Sequence, residues 1–396
     1  MSIDAQRYAL RGVSANKSEV HDAIQNLEKG LYPKAFCKIL PDYIADSKTH
    51  CNIMHADTAG TKTSLAYMYW RETGDLSVWK GIVQDAMVMN LDDMACVGAV
   101  DKFIVSSTIG RNKNYITGDV IKTIIHAAVE FCDAMRTYGI DIKLAGGETA
   151  DVGDIVRTID VGFTAFARLP RKKLVINNIK PGNVIVGFSS TGKSFYETET
   201  NSGMGCNGLT SARHDILHKS YAAKYPESYD TRIPEAVVYA GTKLLTDDFE
   251  IGGETKPIGK WILSPTRTYL PLLKNILSEV DLKKISGIIH NTGGGQTKVL
   301  KYVNDVHIVK NNLFPIAPLF RLIQSQSQTP WREMYQVFNM GTRLEIYCNE
   351  KIAESLVNIA GLLNIEARVI GYVEKKRAGT GISTLSIENP EGKFNY

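Results

Sequence analysis

Short strand-like segments alternate with longer helix-like segments along most of the 396-residue chain. In the first half, strand-like runs and helical patterns follow one another at 51–56, 79–96, 102–107, 118–138, 140–145 and 156–168. The same alternation returns between residues 184 and 373. Mixed helix and strand in both halves predicts two α/β or α+β domains.

A break near residue 170 divides the pattern. Pro170 is followed by three basic residues, and Pro181-Gly182 gives a second turn signal before the apolar run 184–188. We therefore expect an N-terminal domain at 1–169 and a C-terminal domain at 170–396, which agrees with roughly 100–200 residues per domain. Two polar stretches, 193–205 and 219–260, are expected to be surface insertions.

Composition excludes several classes of protein. An apolar content of 44% argues against disorder, and 46 basic against 42 acidic residues leave a net charge of +4, too small and too mixed for a nucleic-acid binder. No apolar run approaches the ~18 residues needed to span a membrane, and no export signal is visible at the start. The six scattered cysteines predict reduced thiols and a cytoplasmic location.

The sequence GFSSTGKS at 187–194 matches the P-loop pattern GxxxxGK[ST] and follows a strand-like run. In a P-loop, backbone N–H groups wrap the phosphates and the next residues open a helix. Residues 195–205 are poor in helix formers and are interrupted by glycines. We therefore expect a chance match at a strand-to-loop turn.

The segment DTAGTK at 57–62 directly follows a strand-like run. A carboxylate at a strand end can bind a hard cation, glycine lets a ligand approach the backbone, and lysine can neutralise phosphate charge. Asp57, Gly60, Thr61 and Lys62 are therefore candidates for a metal–phosphate site. An aspartate at a strand end is also a common turn former, so the segment alone is weak.

Two further segments of the first half are candidates for the same site. Asp92 and Asp93 lie inside a helix-like apolar run, where a carboxylate is costly unless it is paired or binds a metal. A solvated helix face is the plainer interpretation. The sequence GGET at 146–149 follows an apolar strand, but it recurs at 252–255 in polar surroundings, so only its context favours the first copy.

In the second half, His290 and Thr292 precede three glycines at 293–295. Glycines between a strand and a helix expose N–H groups that can bind an anion, although a plain flexible turn is the alternative. His214 and His218 are four residues apart, but no Glu follows His214 as in zinc proteases. We interpret these two histidines as surface or boundary residues.

Taken together and in order, these segments resemble the AIR synthase family (phosphoribosylformylglycinamidine cyclo-ligase). The matching segments lie at 8–13, 57–62, 92–99, 146–150, 206–213, 263–269, 290–295 and 333–341. The chain departs from the family pattern at Thr58-Ala59, which replace Gly-Val, and at Asp92, which replaces Asn. Arg343 also departs, because it stands where the family usually has a small apolar strand start.

The resemblance implies two α/β domains, the first pairing with its copy in a homodimer to form a β-barrel, and the second a mixed α/β domain. It implies ATP-dependent ring closure of formylglycinamidine ribonucleotide to aminoimidazole ribonucleotide, with release of ADP and phosphate, in purine biosynthesis. ATP and Mg²⁺ would be the cofactors. The partners would be this small molecule and a second copy, with no nucleic acid and no membrane.

The resemblance also implies roles for individual residues. Asp57, Asp93 and Glu148 would hold Mg²⁺, and Lys62 and His290 would be catalytic. The residues expected to bind the nucleotide are Gly60, Thr61, Lys62, Gly146, Gly147 and Thr149. Those expected to bind the substrate are Ser189, Ser190, Asn207, Thr292, Gly293 and Gly294.

Three alternatives stay open. One is another ATP-dependent phosphotransferase of the same fold, resembling selenophosphate synthetase, thiamine-monophosphate kinase or a hydrogenase-maturation protein. The first usually has an early reactive Cys, whereas Cys37 and Cys51 lie off the expected loop, and the last ends in a functional Cys, whereas this chain ends Phe-Asn-Tyr. The second is a P-loop NTPase, which would depend on Lys193. The third is a non-catalytic nucleotide-binding relative, which Arg343 keeps open.

Overall fold

The computed structural model describes residues 3–13, 18–376 and 381–396. The strands of the first half are β1 Ile39–Pro41, β2 His50–Thr58, β3 Phe103–Arg111, β4 Ile142–Asp151 and β5 Ile159–Pro170. They form one sheet in the order β1-β2-β5-β3-β4. Neighbouring strands are antiparallel except β3 and β4, which run parallel.

The helices of the first half are α1 Ile3–Leu10, α2 Ser18–Ile24, α3 Lys62–Thr73, α4 Val78–Ala95 and α5 Gly118–Thr137. In α5 the buried residues recur every three to four positions, so one face packs inward and the opposite face meets solvent. In α4 the pattern differs, because 16 of its 18 residues are buried. This helix therefore lies inside the molecule, between the first sheet and the second half.

The second half contains a seven-stranded sheet and two short hairpins. Its strands are β6 Val184–Ser189, β7 Thr191–Gly192, β8 Asn201–Ser202, β9 Asp248–Ile251, β10 Glu254–Pro257, β11 Ile285–His290, β12 Val306–Lys310, β13 Thr342–Cys348, β14 Ala367–Lys375, β15 Thr384–Asn389 and β16 Gly392–Asn395. The large sheet has the order β11-β13-β6-β14-β12-β15-β16. The hairpins pair β7 with β8 and β9 with β10.

Seven helices accompany these strands within the described part of the second half: α6 Leu209–Ile216, α7 Ser220–Lys224, α8 Ile258–Ile262, α9 Leu270–Glu279, α10 Pro318–Ser327, α11 Trp331–Val337 and α12 Ala353–Gly361. A 3₁₀ helix at Gly295–Lys301 follows the glycine loop after β11. The mixed α/β fold expected from the alternating pattern is confirmed. Across the described ranges, no helix is long and apolar enough to cross a membrane.

The expected boundary near residue 170 coincides with the end of β5, and the next strand of the large sheet begins at Val184. The two halves nevertheless share contacts. Arg11, near the N-terminus, forms a buried ion pair with Asp215 at 2.7 Å and donates to the carbonyl of Val237. The division into two domains stays a prediction.

Most predicted elements of the first half are present with shifted ends, but α3 and the end of α2 differ. The helix expected at 18–29 ends at Ile24. The prediction missed α3, whose residues 62–69 are all buried, because a helix buried on every side has no amphipathic period. It also missed α11, β15 and β16.

The apolar spacing at 233–245 predicts a helix, and this prediction is wrong. Only a short 3₁₀ turn, Glu235–Val237, forms there, and Tyr239 adopts a positive φ of 43° that a helix does not allow. After this turn the chain is hydrogen-bonded to α6, because the backbone N–H of Tyr239 donates to His214 Nδ1 at 3.1 Å. His214 is completely buried, so its expected place on the surface is wrong, whereas His218 is exposed.

The polar stretches contain more order than surface loops. Within 193–205, Glu197 forms an ion pair with the buried Arg267. A cavity of about 380 Å³ lies between this segment and helices α4 and α5, with Phe131, Tyr196 and Pro265 in its wall. The stretch 219–260 contains α7, the β9–β10 hairpin and the start of α8.

Lys62 and Asp85 form an ion pair in which both side chains are fully buried, with Nζ 2.9 Å from the carboxylate. Lys62 also donates to the carbonyl of Ser264 at 2.6 Å. Lys62→Met leaves the Asp85 charge buried without its partner, so we expect the free energy of unfolding to fall by about 3–5 kcal/mol. Urea denaturation followed by circular dichroism measures this loss.

Lys80→Met on α4 is the matched control. Lys80 pairs with Glu130 at 2.8 Å, but both side chains are about half exposed. Solvent-exposed pairs of this kind contribute less than about 1 kcal/mol. Equal losses in the two variants would contradict a structural role for the buried pair.

Candidate active site

A carboxylate–imidazole pair lies where the C-terminal half of α4 meets the loop after β11. Asp93 Oδ1 is 2.7 Å from His290 Nδ1, and the two residues are 197 positions apart in the chain. His290 is completely buried, and Asp93 is 7% exposed. The structure thus brings together two residues that the sequence indicated separately, one from each half.

A second histidine, His55 on β2, lies on the other side of Asp93, with Nε2 3.7 Å from Asp93 Oδ2. His55 Nδ1 is 2.9 Å from Asn90 Oδ1, and the Asn90 amide nitrogen donates to the carbonyl of Phe163 at 3.0 Å. His55 Nδ1 is therefore the donor in the first contact. Sequence reasoning missed His55 and Asn90. The available signal was their spacing. His55 lies two residues before Asp57 on a strand, and Asn90 lies three residues before Asp93 on a helix.

The charges of the pair follow from its surroundings. Burial opposes ionisation of Asp93, but the Lys298 ammonium and the hydrogen bond from His290 outweigh it and lower the pKa of Asp93 to about 2. Burial also lowers the pKa of His290, to about 4, with the Arg343 guanidinium adding to the effect and Asp93 opposing it. At neutral pH the pair is an Asp93 carboxylate and a neutral His290 imidazole.

The loop after β11 carries three of the predicted substrate residues. Thr292 accepts a hydrogen bond from the Lys298 ammonium, and Gly294 adopts a φ of 95° that favours glycine. Gly293 is exposed, and the amide nitrogen of Asn207 lies 4.0 Å from the place of a Cβ on it. Asn207 Oδ1 is buried and has no hydrogen-bond partner among the described residues. An unpaired acceptor beside an open loop suits a ligand N–H group.

Ser189 and Ser190 lie at the end of β6 and are both buried. Ser190 Oγ is 3.2 Å from the carbonyl of Gly203 and 3.0 Å from Asn339 Oδ1. Ser189 Oγ is 2.9 Å from Thr191 Oγ1. Protein groups already satisfy both hydroxyls, and their substrate role stays a prediction.

The segment after β2 lies close to the second half. Asp57 Oδ1 accepts from the next backbone N–H at 2.8 Å, and Gly60 has a positive φ of 58°. Thr61 Oγ1 is 2.8 Å from Thr210 Oγ1 on α6. Lys62 does not join this group, because its ammonium is buried against Asp85.

Glu148 lies on the opposite face of the first sheet from Asp57. Asp57 is paired across the sheet with the buried Phe163, and Phe163 is paired in turn with Ser107 on β3. Glu148 is paired with the exposed Thr108, which is the residue after Ser107. Since successive residues of a strand point to opposite faces, Asp57 and Glu148 lie on different faces and three strands apart, about 14 Å.

One chain therefore cannot use Glu148 together with Asp57 and Asp93 for a single cation, and this part of the metal prediction is corrected. Within the described ranges, no group of three or more His, Cys, Asp or Glu side chains is arranged to hold a metal ion. The nucleotide-binding candidates are divided by distance, because the same three strand spacings separate them. Gly146, Gly147 and Thr149 lie with Glu148 on the edge strand β4, away from the Asp57 segment.

The P-loop-like segment surrounds a guanidinium. Arg267 donates to the carbonyls of Ser189, Thr191 and Gly192, each at 2.9 Å. Carbonyl oxygens converge where a P-loop presents N–H groups, the side chain of Lys193 is exposed, and residues 195–208 contain no helix. The P-loop alternative is therefore wrong, and the chance match is the correct interpretation.

Residues 42–169 match the family described as AIR synthase related protein, N-terminal domain. The resemblance inferred from the ordered motifs is confirmed by this match and by the relatives that follow.

Two relatives are named phosphoribosylformylglycinamidine cyclo-ligase. The chain is 28% identical over 291 residues to the one from Methanocaldococcus jannaschii, which covers 73% of this chain and 70% of the relative. It is 26% identical over 344 residues to the one from Caldicellulosiruptor saccharolyticus, which covers 85% of this chain and 86% of the relative. The resemblance thus extends through both halves.

Solved structures share the fold. AaThiL complexed with AMPPCP and TMP gives a TM-score of 0.54 at 12% identity, and the match covers 96% of each chain. T. maritima PurL complexed with FGAR gives 0.52 at 11% identity over 99% of this chain. This chain spans about half, 52%, of that PurL chain. Such low identities establish the architecture, not the activity.

Asp92, next to Asp93, joins the two halves from the same helix. Its carboxylate accepts from Thr268 Oγ1 and from the backbone N–H of Tyr269, both at 2.7 Å. Burial raises the pKa of Asp92 to about 7, although these hydrogen bonds and the Arg343 guanidinium oppose the effect.

The pKa of Asp92 predicts a pH dependence of stability. Because this carboxyl has a pKa of about 7 when folded and about 3.9 when unfolded, the folded chain binds more protons between these values. Stability therefore falls as pH rises through that window, by up to about 4 kcal/mol from this group. Urea unfolding at about pH 5 and about pH 7.5 measures the fall.

Asp92→Asn is the comparison, since the amide is neutral at both pH values. We expect its free energy of unfolding to change less between the two pH values than that of the wild-type chain. Asp93 is the same in both proteins, so its contribution to the pH dependence cancels in the comparison. Parallel pH dependence in the two proteins would contradict the raised pKa of Asp92.

Proposed function

We propose that this chain is a phosphoribosylformylglycinamidine cyclo-ligase, which uses ATP to convert formylglycinamidine ribonucleotide to aminoimidazole ribonucleotide, ADP and phosphate. The observation that carries the proposal is the buried Asp93–His290 pair at the contact of the two halves. Lys298 and the exposed Gly293 lie beside it. The names of relatives that align with most of both chains support the choice of substrate.

The chemistry needs an activated oxygen, because an amide oxygen is a poor leaving group. Transfer of the γ-phosphoryl group of ATP to the formyl oxygen gives an imidate phosphate and ADP. A nitrogen of the same substrate then attacks the imidate carbon, so that a C–N bond forms, the C–O bond breaks and phosphate leaves. Since ring closure is intramolecular, the protein must hold the substrate folded and stabilise the transferred charge.

We assign the phosphate-neutralising role to Lys298 rather than to Lys62. Lys298 is half-buried beside Thr292 and the glycine loop, whereas Lys62 is enclosed with Asp85. The Asp93 carboxylate, with a pKa of about 2, is too weak a base to remove a proton efficiently at neutral pH. Its proposed role is to orient and stabilise the cationic amidine of the substrate.

The carboxylates present suit a partial ligand set for Mg²⁺. Mg²⁺ usually binds one or two carboxylates together with substrate phosphate oxygens. Asp57 at the end of β2 and Asp93 on α4 supply such oxygens, and a bound Mg²⁺ would neutralise charge on the ATP phosphates. Gly60 and Thr61, next to Asp57, are the proposed nucleotide contacts.

We also propose a homodimer that forms through the outer face of the first sheet. On this face Met54 is 62% exposed and Ile104 is 49% exposed. Ala56, two residues after Met54 on β2, is also exposed. An antiparallel sheet buries one face readily, but large apolar side chains on the second face indicate a partner.

The six free cysteines, five of them buried, support a reducing location such as the cytoplasm.

The cyclo-ligase proposal is tested by incubating the purified chain with ATP and formylglycinamidine ribonucleotide and measuring aminoimidazole ribonucleotide and phosphate. The wild-type chain should form both. Asp93→Asn removes the negative charge at nearly constant shape, so kcat should fall by about 10²-fold or more.

Lys193→Ala is the control, because the exposed Lys193 lies outside the proposed site. It should retain wild-type rates. An unchanged rate in Asp93→Asn would remove Asp93 from the site. Absence of product with the wild-type chain, despite ATP binding, would overturn the proposed function and favour another phosphotransferase of this fold.

The dimer is tested by light scattering after size-exclusion chromatography. The wild-type chain should have twice the 43.8 kDa mass of one chain. Ile104→Lys places a charge in the proposed interface and should give monomers. Ile125→Lys on α5 is the matched control, since Ile125 is 47% exposed on the helical side, and should remain dimeric. A monomeric wild-type chain would contradict the proposal.

A further inference from the structure

Arg343 is a buried cation that the proposed reaction leaves without a role. It lies near the start of β13, a strand whose residues are all buried, and is itself 1% exposed. A guanidinium in such a place is costly unless hydrogen-bond acceptors surround it. Its contacts should therefore show what it does.

The strong acceptor that Arg343 contacts is a single imidazole. Arg343 Nε is 3.0 Å from His290 Nε2. Nη2 lies 3.3 Å from the sulfur of Met89, which is a weak acceptor. Nη1 is buried and has no hydrogen-bond partner in the described part of the chain. The guanidinium is thus directed at His290 rather than at a carboxylate.

The contacts with Arg343 and with the Asp93 carboxylate together show which nitrogen of His290 carries the proton. A guanidinium can only donate, so His290 Nε2 must accept and is unprotonated. A neutral imidazole with a bare Nε2 carries its proton on Nδ1. That Nδ1–H group then donates to Asp93 Oδ1, 2.7 Å away. Both ring nitrogens are engaged, so His290 does not have a free nitrogen for proton transfer.

We propose that Arg343 is a positioning residue, which donates to His290 Nε2, holds the imidazole ring in place and through it directs the Asp93 carboxylate into the cleft. His290, expected to be catalytic, becomes the link between them. The importance of this chain of contacts for turnover rests on the proposed function, because it requires Asp93 to act on the substrate. The geometric part does not.

A second contact holds the guanidinium in place. A Cβ on Gly205 would lie 1.8 Å from Arg343 Nη1, and Gly205 has a positive φ of 68°. The backbone at Gly205 therefore packs directly on the guanidinium. Two residues later this loop carries Asn207, whose side-chain oxygen lacks a partner. Arg343 thus supports both the Asp93 side and the Asn207 side of the cleft.

The tautomer is measured by long-range ¹H–¹⁵N correlation spectra of the full chain labelled in histidine, with His290→Gln to assign the signal. Wild-type His290 should show a protonated Nδ1 and a bare Nε2. Arg343→Lys, which keeps a donor, should preserve this pattern. Arg343→Met should keep the proton on Nδ1, because the Asp93 carboxylate accepts it, but Nε2 loses its donor and its ¹⁵N signal should shift. In this variant kcat should fall about 10-fold or more with KM for ATP changed less than about 2-fold.

Arg368→Met on strand β14 of the same sheet is the control, since Arg368 lies partly exposed outside the site. Gly205→Ala displaces the guanidinium without removing it, and should alter the His290 signal even where Arg343→Met does not fold. A wild-type His290 with its proton on Nε2 would overturn the proposal, as would an unchanged Nε2 signal in Arg343→Met or, if that variant does not fold, in Gly205→Ala.

The spectra need no substrate, so the two proposals fail separately. If the chain does not form aminoimidazole ribonucleotide but the Nε2 signal responds to Arg343, the proposed function fails and the positioning role stands. If the chain is active and its Nε2 signal does not respond, the role of Arg343 alone is refuted.

Discussion

Buried carboxylates on α4 join the two halves of the molecule, and the site depends on them. Asp85 accepts from the backbone N–H and the hydroxyl of Thr266 at 2.7 and 2.6 Å. Asp92 accepts from Thr268 and Tyr269, and Asp93 pairs with His290. Asp92 follows Asp85 by seven residues and lies on the same face of the helix, and Asp93 lies one residue further round. A charge on a buried helix must be satisfied, and here the second half supplies a partner to each acid, while Lys62 of the first half also pairs with Asp85.

Such contacts determine position more than they add stability. A buried ion pair often contributes little beyond what apolar packing would give, because desolvation offsets the attraction. Hydrogen bonds to carboxylates are directional, however. Three carboxylates along one helix, each bonded to the second half, therefore leave a single arrangement of the two halves. The cleft between Asp93 and the loop at Asn207 is therefore fixed by the same helix that supplies one of its site residues.

The sequence predicts local elements and site candidates well where periodicity and residue type are enough. Strand ends at Asp57 and His290 and the acids in α4 could all be found in this way. The partners could not, because a contact such as Asp93–His290 depends on how distant segments pack. The burial of a side chain could not be predicted from the sequence either. Lys62 has the residue type and context of a phosphate ligand, yet its ammonium faces Asp85. Hydrogen-bond direction was hidden too, since only the structure shows carbonyls at 187–194 directed at Arg267.

The two groups of nucleotide-binding candidates have different relations to a single chain. Gly60 and Thr61 lie with Asp57 beside the cleft, whereas Gly146, Gly147 and Thr149 lie on the edge strand whose Glu148 points to the outer face. Gly147 and Thr149 alternate with Glu148 and so face the Asp57 side, but three strand spacings, about 14 Å, lie between them and Asp57. If a second copy covers the outer face, as proposed, Glu148 lies on the covered face. A metal site that used Glu148 would then be formed between two chains, so that oligomeric state and metal binding would be coupled.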